Sequence, residues 1–277
     1  MNVRAFLTNV TVILAVMAVA ALIEIALPMC AGRRSARGRR TTNLGLTGLA
    51  FLLNWLLASA AAIAAVSLRP AGLLAGAALP LWAEVLIGIV ALDFSVGYLS
   101  HRAMHAWTPM WRFHRIHHSD DFVDVTTTFR THPVETAWRF LFAIVPIWVL
   151  GLPAQAVLIQ RLLQTTNGVI EHANIRLWGP LDRVLSIVFV TPNVHKVHHS
   201  RAISETNSNY ANLLTIYDRA LGTFTPSARA ETVVYGLDDA ERMAGARLPD
   251  LLAMPFEPQE RPAVPDRKVS VRTGAGR

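Results

Sequence analysis

The sequence predicts an all-α integral membrane protein, with three spans, a re-entrant helical hairpin and a cytoplasmic, histidine-rich helical cap. Three observations predict it. The 277-residue chain is 52% hydrophobic and only 16% charged, whereas soluble domains carry about 25% charged residues. Three apolar stretches in its first hundred residues are long enough to cross a bilayer. All ten histidines fall between His101 and His199.

Leu7 to Met29 is the first of these stretches, interrupted by Glu24. It is long for a secretory leader and lacks a good small-residue cleavage site, so it reads as a span. The loop 33-RRSARGRR-40 follows. Arginine-rich loops stay cytoplasmic, which places it inside. Leu44 to Leu68 crosses outward with Asn54 as its only strongly polar member. The turn 69-RPAGLLAGAALP-80 lies outside. Leu81 to Ser100, carrying Glu84 and Asp93, returns and delivers His101 to the cytoplasmic side.

A fourth apolar region, Trp138 to Leu163, is broken by Gly151 and Pro153. Each half is about a dozen residues, roughly 18 Å of helix against a ~30 Å hydrocarbon core. It is either one kinked span or a hairpin that dips in and returns. A complete crossing would strand His172 and 195-HKVHH-199 on the far side from 114-HRIHH-118. If the clusters work together, the hairpin is required. After Thr225 the chain turns polar. Segment 238-DDAERMAGARLPDLLAMPF-256 reads as a small amphipathic piece, and 257–277, Pro-containing and aperiodic, as a disordered tail.

Cys30 is the single cysteine, so neither a disulfide framework nor a thiolate metal site is available. The net charge of +7 could suit nucleic acid or an anionic membrane face. With so much apolar sequence the membrane is the better reading, and no nucleic-acid partner is expected.

The histidine spacing is that of ligands on helices. Positions i, i+3 and i+4 share a helix face. His101 and His105 in 101-HRAMH-105 therefore form a pair, and each HxxHH box presents three imidazoles from one turn. Neutral imidazole is the commonest metal ligand. So many rings exceed what one ion can use, and two ions fit the count. Imidazole suits zinc, copper, iron and nickel. There is no HExxH, and no carboxylate inside any box to act as general base, which argues against a zinc hydrolase. A redox-active pair of metals beside a membrane fits better.

The order HxxxH, HxxHH, HxxHH, with a short membrane hairpin before the last box, resembles the fatty acid hydroxylase/sterol desaturase superfamily. The resemblance runs from Leu92 to Phe224, through 93-DFSVGYLSHRAMH-105, 111-WRFHRIHHSD-120, 132-HPVE-135, 171-EHAN-174, 195-HKVHHS-200 and 209-NYANLLTIYDRALGTF-224. It implies a membrane di-iron enzyme that hydroxylates or desaturates lipid C–H bonds with O2 and two external electrons. It implies nine iron ligands: His101, His105, His114, His117, His118, His172, His195, His198 and His199. His132, in the HPxE element, is implied to be structural. Some relatives carry a further histidine four residues beyond the one matching His172. Arg176 stands there in this chain, leaving one metal with an open or water-filled position. The implied domain division is 1–80 for N-terminal membrane helices, 81–226 for the catalytic domain and 227–277 for a cytoplasmic C-terminal segment.

Asp93, Glu135, Glu171 and Asp218 are candidates to orient the ligand rings. No glycine-rich dinucleotide fingerprint follows a strand, and no cysteine cluster or haem motif is present. The electrons would therefore come from a separate ferredoxin-like, cytochrome b-type or flavoprotein partner. Two rival functions are a metal-binding membrane protein or transporter, and a zinc-dependent lipid hydrolase. Transporters place their ligands near the midplane, whereas these boxes follow the spans.

Overall fold

The computed structural model describes residues 3–30, 38–68, 72–74, 76–237 and 245–257. Most of the arginine loop, part of the 238–256 piece and the 258–277 tail lie outside the described residues. Among those described, the chain is helical, with isolated β-bridges and no strand.

Two long helices open the chain, α1 (Val3–Ala26) and α2 (Arg39–Leu68). The next rod is continuous but composite. It comprises α3 (Leu81–Leu92), a π-helical segment Asp93–Leu99 and α4 (Ser100–Ala106). Then come α5 (Thr108–His118), a 3-10 turn Val125–Phe129, α6 (Pro133–Leu150) and α7 (Ala154–His172). Short helices cover one end: α8 (Gly179–Leu185), α9 (Pro192–His198), α10 (Ile203–Thr206), α11 (Ile216–Ala220) and α12 (Leu248–Ala253). Four helices are long and apolar enough to cross a membrane: Phe6–Ala26, Arg39–Ser67, Leu81–Ala106 and Pro133–Leu150. The protein is an integral membrane protein by this measure.

The hairpin breaks where the sequence predicts. Gly151 adopts the left-handed conformation (φ 65°) that ends α6, and Pro153 caps the start of α7. Its arms are longer than expected. They hold 18 and 19 residues, about 27 Å each. Pro133 starts α6 ahead of the apolar run, and α7 continues through polar sequence to His172. That polar sequence is a stripe. Gln160, Gly168 and Glu171 are buried, while Leu158, Ile159, Leu162 and Leu163 are exposed. A helix with its polar side inward and apolar side outward suits a membrane bundle lining a polar cavity. Mean hydropathy conceals such a helix.

Pro146 lies inside α6 and cannot donate to the carbonyl of Phe142. Ser95 Oγ of the π segment donates to that carbonyl instead, at 2.7 Å. From α6, Arg139 and Trp138 donate to the carbonyls of Val96 and Ser100 at 3.3 and 3.1 Å. Apolar clusters join these helices. Ala61, Leu92, Ala143, Ile147 and Val157 form one cluster across α2, α3, α6 and α7. Met17, Ala50, Phe129 and Val169 form another across α1, α2 and α7. Leu46 and Ile116 meet Leu251 and Met254 of the C-terminal piece. Packing of α3 on α7 is close enough that a Cβ on Gly88 would stand 2.6 Å from that of Ala156.

Arg39 has a role beyond topology. Its guanidinium, 3% exposed, donates to Asp120 at 2.7 Å and also to Asp124. Arg130 bonds Ile116 O, Ser119 Oγ and Asn43 Oδ1 at 2.8 to 2.9 Å. This buried network fastens the segment after 114-HRIHH-118 to the start of α2.

Candidate metal centre

Five elements converge at the covered end of the bundle. The π segment adds a wide turn to its helix, a feature frequent at functional sites, and re-phases the residues that follow. His101 and His105 of α4 turn inward to meet α5. Pro109 starts α5 and leads into His114, His117 and His118. α9 is set by Thr191, whose Oγ accepts from Val194 N at 3.2 Å, with Pro192 in its first turn. It supplies His195 and His198, with His199 as its cap. α7 ends at His172.

All nine histidines named from the sequence come together, in two groups. His101, His105, His114, His118 and His198 form one; His117, His172, His195 and His199 form the other. Within each, one ring nitrogen per residue lies within 4.8 Å of all the rest. The HxxHH pattern acquires a physical reading here. Each box gives its i and i+4 rings to one group and its i+3 ring to the other. The groups abut, with the His118 and His199 rings stacked at 4.8 Å between centroids.

Hydrogen bonds fix which ring nitrogens face inward. Carbonyl oxygens only accept, so a ring bonded to one carries its proton on that nitrogen. His101 Nδ1–H donates to Tyr210 O, His198 Nδ1–H to Ser208 O and His172 Nδ1–H to Gly168 O, each at 2.7 Å. His114 Nδ1–H donates to Glu135 Oε2 at 3.0 Å. In the neutral imidazoles their Nε2 atoms therefore carry bare lone pairs. Yet His101 Nε2 lies 3.0 Å from His114 Nε2 and 3.1 Å from His198 Nε2. Lone pairs at that separation, buried, repel unless a cation lies between them. His105 Nε2 and His118 Nε2, in the same group, are buried without a hydrogen-bond partner.

The separations are those of nitrogens that share an ion. Metal–imidazole bonds are about 2.0 to 2.1 Å. Nitrogens at right angles are then about 3.0 Å apart, and at the tetrahedral angle about 3.4 Å. In the second group His172, His195 and His199 have mutual Nε2 distances of 3.0, 3.2 and 3.1 Å, and His117 lies 3.0 Å from His172. The five donors of the first group exceed the four of a tetrahedral zinc site.

Burial, reinforced by neighbouring imidazoles, holds His118, His195 and His199 well below the ordinary histidine pKa, and burial lowers His198 to about 3. Lys196 is fully buried, donating to Val123 O at 3.1 Å and to His172 O. Burial lowers its ammonium to about 8.

The four candidate carboxylates divide. Glu135 bonds a ligand-type ring and Arg139. Glu171 lies 3.9 Å from His195 Nε2 and accepts from Asn212 Nδ2 at 2.6 Å. Asp218 and Asp93 act one step away. Asp218 accepts from Tyr210 N and Ala211 N at 2.9 and 2.8 Å, and Asp93 accepts from Leu214 N at 3.1 Å. Together they hold the 208–214 segment whose carbonyls orient His198 and His101. Asn209 between them sits at φ 51°, a conformation asparagine tolerates better than most residues. Its side chain ties to Val194 O and Thr225 at 2.8 to 3.1 Å. His132 joins neither group. It caps α6, its Nδ1 accepting from Val134 N at 3.1 Å. Arg176 points away and pairs with Glu231 at 3.0 Å.

Sequence reasoning missed the cavity beside the histidines. It measures about 170 Å³ and reaches from His101, His117, His172 and His195 to Asn54, Gln160, Arg161 and Gln164. The signal was present as polar residues at helical spacing in α7.

Comparison with known proteins gives this geometry a family. Ornithine lipid hydroxylase OlsE of Rhizobium tropici is 33% identical over 159 residues, 57% of this chain and 46% of that protein. Alkylglycerol monooxygenase of Homo sapiens is 34% identical over 161 residues, 56% of this chain and 33% of its own. The enzyme of the same name from Danio rerio is 32% identical over 145 residues, 50% and 30% of the two chains. The aligned segment thus spans less than half of each relative. No solved structure gives a significant match. The fatty acid hydroxylase family profile matches residues 85–223, half of the 277-residue chain and the part that holds every histidine, and the chain belongs to that family.

Proposed function

We propose that the protein is a membrane-bound non-haem di-iron oxygenase that hydroxylates, or desaturates, an unactivated C–H bond of a lipid, using O2 and two external electrons. The observation that carries this reading is the pair of abutting histidine groups with inward Nε2 atoms about 3 Å apart. The nine histidines would hold two iron ions, five rings at one and four at the other. Bound iron would supply the activation of O2 for C–H oxidation.

The protein's own residues do the rest. Tyr210 O, Ser208 O, Gly168 O and Glu135 fix the ring tautomers and orientations. The apolar walls Leu92, Val96, Ala143 and Val157 exclude water from the route between the bilayer and the histidines. The smaller group has one ring fewer, and Arg176, turned outward to Glu231, adds no donor to it. An all-imidazole set with five donors in one group favours iron over the tetrahedral zinc of a hydrolase. The lipid hydroxylase and monooxygenase named among the relatives support the substrate class.

The centre faces the cytoplasm. Arg39, at the end of the arginine loop, is clamped to Asp120 two residues beyond His118, so the positive loop and the histidines share a side. α6 begins beside His114, at Glu135, and α7 returns to the same group of rings at His172, which supports a hairpin over an odd crossing. Electrons come from a separate ferredoxin-like, cytochrome b-type or flavoprotein donor, steered by the basic face. Comparative lipid mass spectrometry of cells with and without the gene tests the reading. A lipid that gains an oxygen or loses two hydrogens only when the gene is present is expected. An unchanged lipid profile under aerobic growth would oppose it.

A further inference from the structure

Arg161 is a cation in the apolar hairpin with no carboxylate partner among the described residues. Among the described residues its hydrogen bond runs from Nη2 to Asn54 Oδ1 at 2.9 Å. It lines two cavities. One leads to the histidines. The other is a side pocket between α1, α2 and α7, bounded by Phe6, Ile13, Trp55 and Leu162. Asn54, Phe129, Arg161 and Thr165 border both. Arginines within membrane segments are costly and mark substrate or ion routes. The other arginine of the cavity, Arg139, is already paired with Glu135 at 3.1 Å, so Arg161 is the charge still available.

We propose that Arg161, positioned by Asn54, anchors an oxyanionic group, carboxylate or phosphate, on the long-chain substrate. A planar guanidinium offers a paired fork to such a group. The inference rests on the lipid-oxygenase reading and names what the enzyme selects. Eleven residues of α7 separate Arg161 from His172, about 16 Å of helix. The carbon presented to the histidines therefore lies along the chain and not beside the charge. The side pocket admits the molecule laterally from the bilayer.

Equilibrium binding to the full chain in nanodiscs tests this, with palmitate, hexadecyl phosphate and hexadecanol as probes and neither O2 nor reductant present. The wild type should bind at least one anion about tenfold more tightly than hexadecanol, the scale of one charge-assisted hydrogen bond. Whichever anion wins identifies the source, a fatty acid or a phospholipid headgroup. Arg161→Gln should abolish the preference, leave hexadecanol binding unchanged and retain the wild-type metal content. Arg161→Lys should keep part of the preference. Hexadecanol binding equal to that of both anions in the wild type would overturn the anchor while leaving the lipid reading intact, and it is decisive whether or not the variants fold. An equal loss of all three probes in a folded Arg161→Gln would also overturn it. Failure of every long-chain probe to bind the wild type would overturn both.

Discussion

His101 Nε2 lies 3.0 Å from His114 Nε2, while the opposite nitrogen of each ring donates to an oxygen, Tyr210 O for one and Glu135 Oε2 for the other. In the neutral imidazoles, the form that binds metal, neither inward nitrogen has a proton left to give the other. The pair is organised for a cation.

Glu135 is the most direct test of that organisation outside the histidines. Glu135→Gln keeps an acceptor but removes the charge that holds His114 and Arg139. Metal affinity is expected to fall about 10- to 100-fold, measured by competition with a chelator. An unchanged affinity would mean that the carboxylate does not support the centre.

His198 and His132 should separate cleanly. His198→Ala is expected to lose metal and abolish lipid oxidation, because its ring completes the five-membered group. His132→Ala removes a helix cap and should cost about 1 kcal/mol of stability with metal content intact. Metal analysis and thermal unfolding of both variants decide it. A folded His132→Ala short of a metal would make His132 a ligand.

Acid should weaken the protein in a defined direction. In the unfolded chain histidines take up protons below about pH 6.5, whereas burial keeps these rings neutral, His198 until about pH 3. The unfolded state binds more protons in that window, so stability falls as pH drops below about 6.5. Protons also compete with metal for Nε2, which acts in the same sense. Unfolding midpoints and bound metal measured between about pH 5 and 8 should decline together on the acid side. A midpoint that rises on acidification would contradict the neutral-ring account.

Topology is open to labelling. Single cysteines placed near His118 and near His199, in a Cys30→Ser background, should both resist a membrane-impermeant reagent applied from outside. Labelling of one and not the other would break the shared site.

Much of this was legible in the sequence because its signals are local. The i, i+3, i+4 spacing of 114-HRIHH-118 and 195-HKVHH-199 is a one-turn property, and the hairpin break needs only Gly151 and Pro153. What stayed hidden depends on contacts between distant segments. The division of each box between two groups requires α5 and α9 to face each other. The orienting carbonyls of Ser208 and Tyr210 carry no side-chain signature. The arms of the hairpin were underestimated because α7 hides polar residues on an inward face, and Arg161 was absorbed into an apolar average for the same reason. Asp93 read as a possible partner for a ligand ring, yet it meets the backbone of Leu214 instead.

The central claim, two iron ions held by nine histidines, is tested most directly by metal analysis with Mössbauer spectroscopy on protein produced in iron-replete cells. The account predicts two irons per chain in non-equivalent sites, one with five nitrogen ligands and one with four. One metal per chain, or no enrichment in iron over zinc under those conditions, would contradict it.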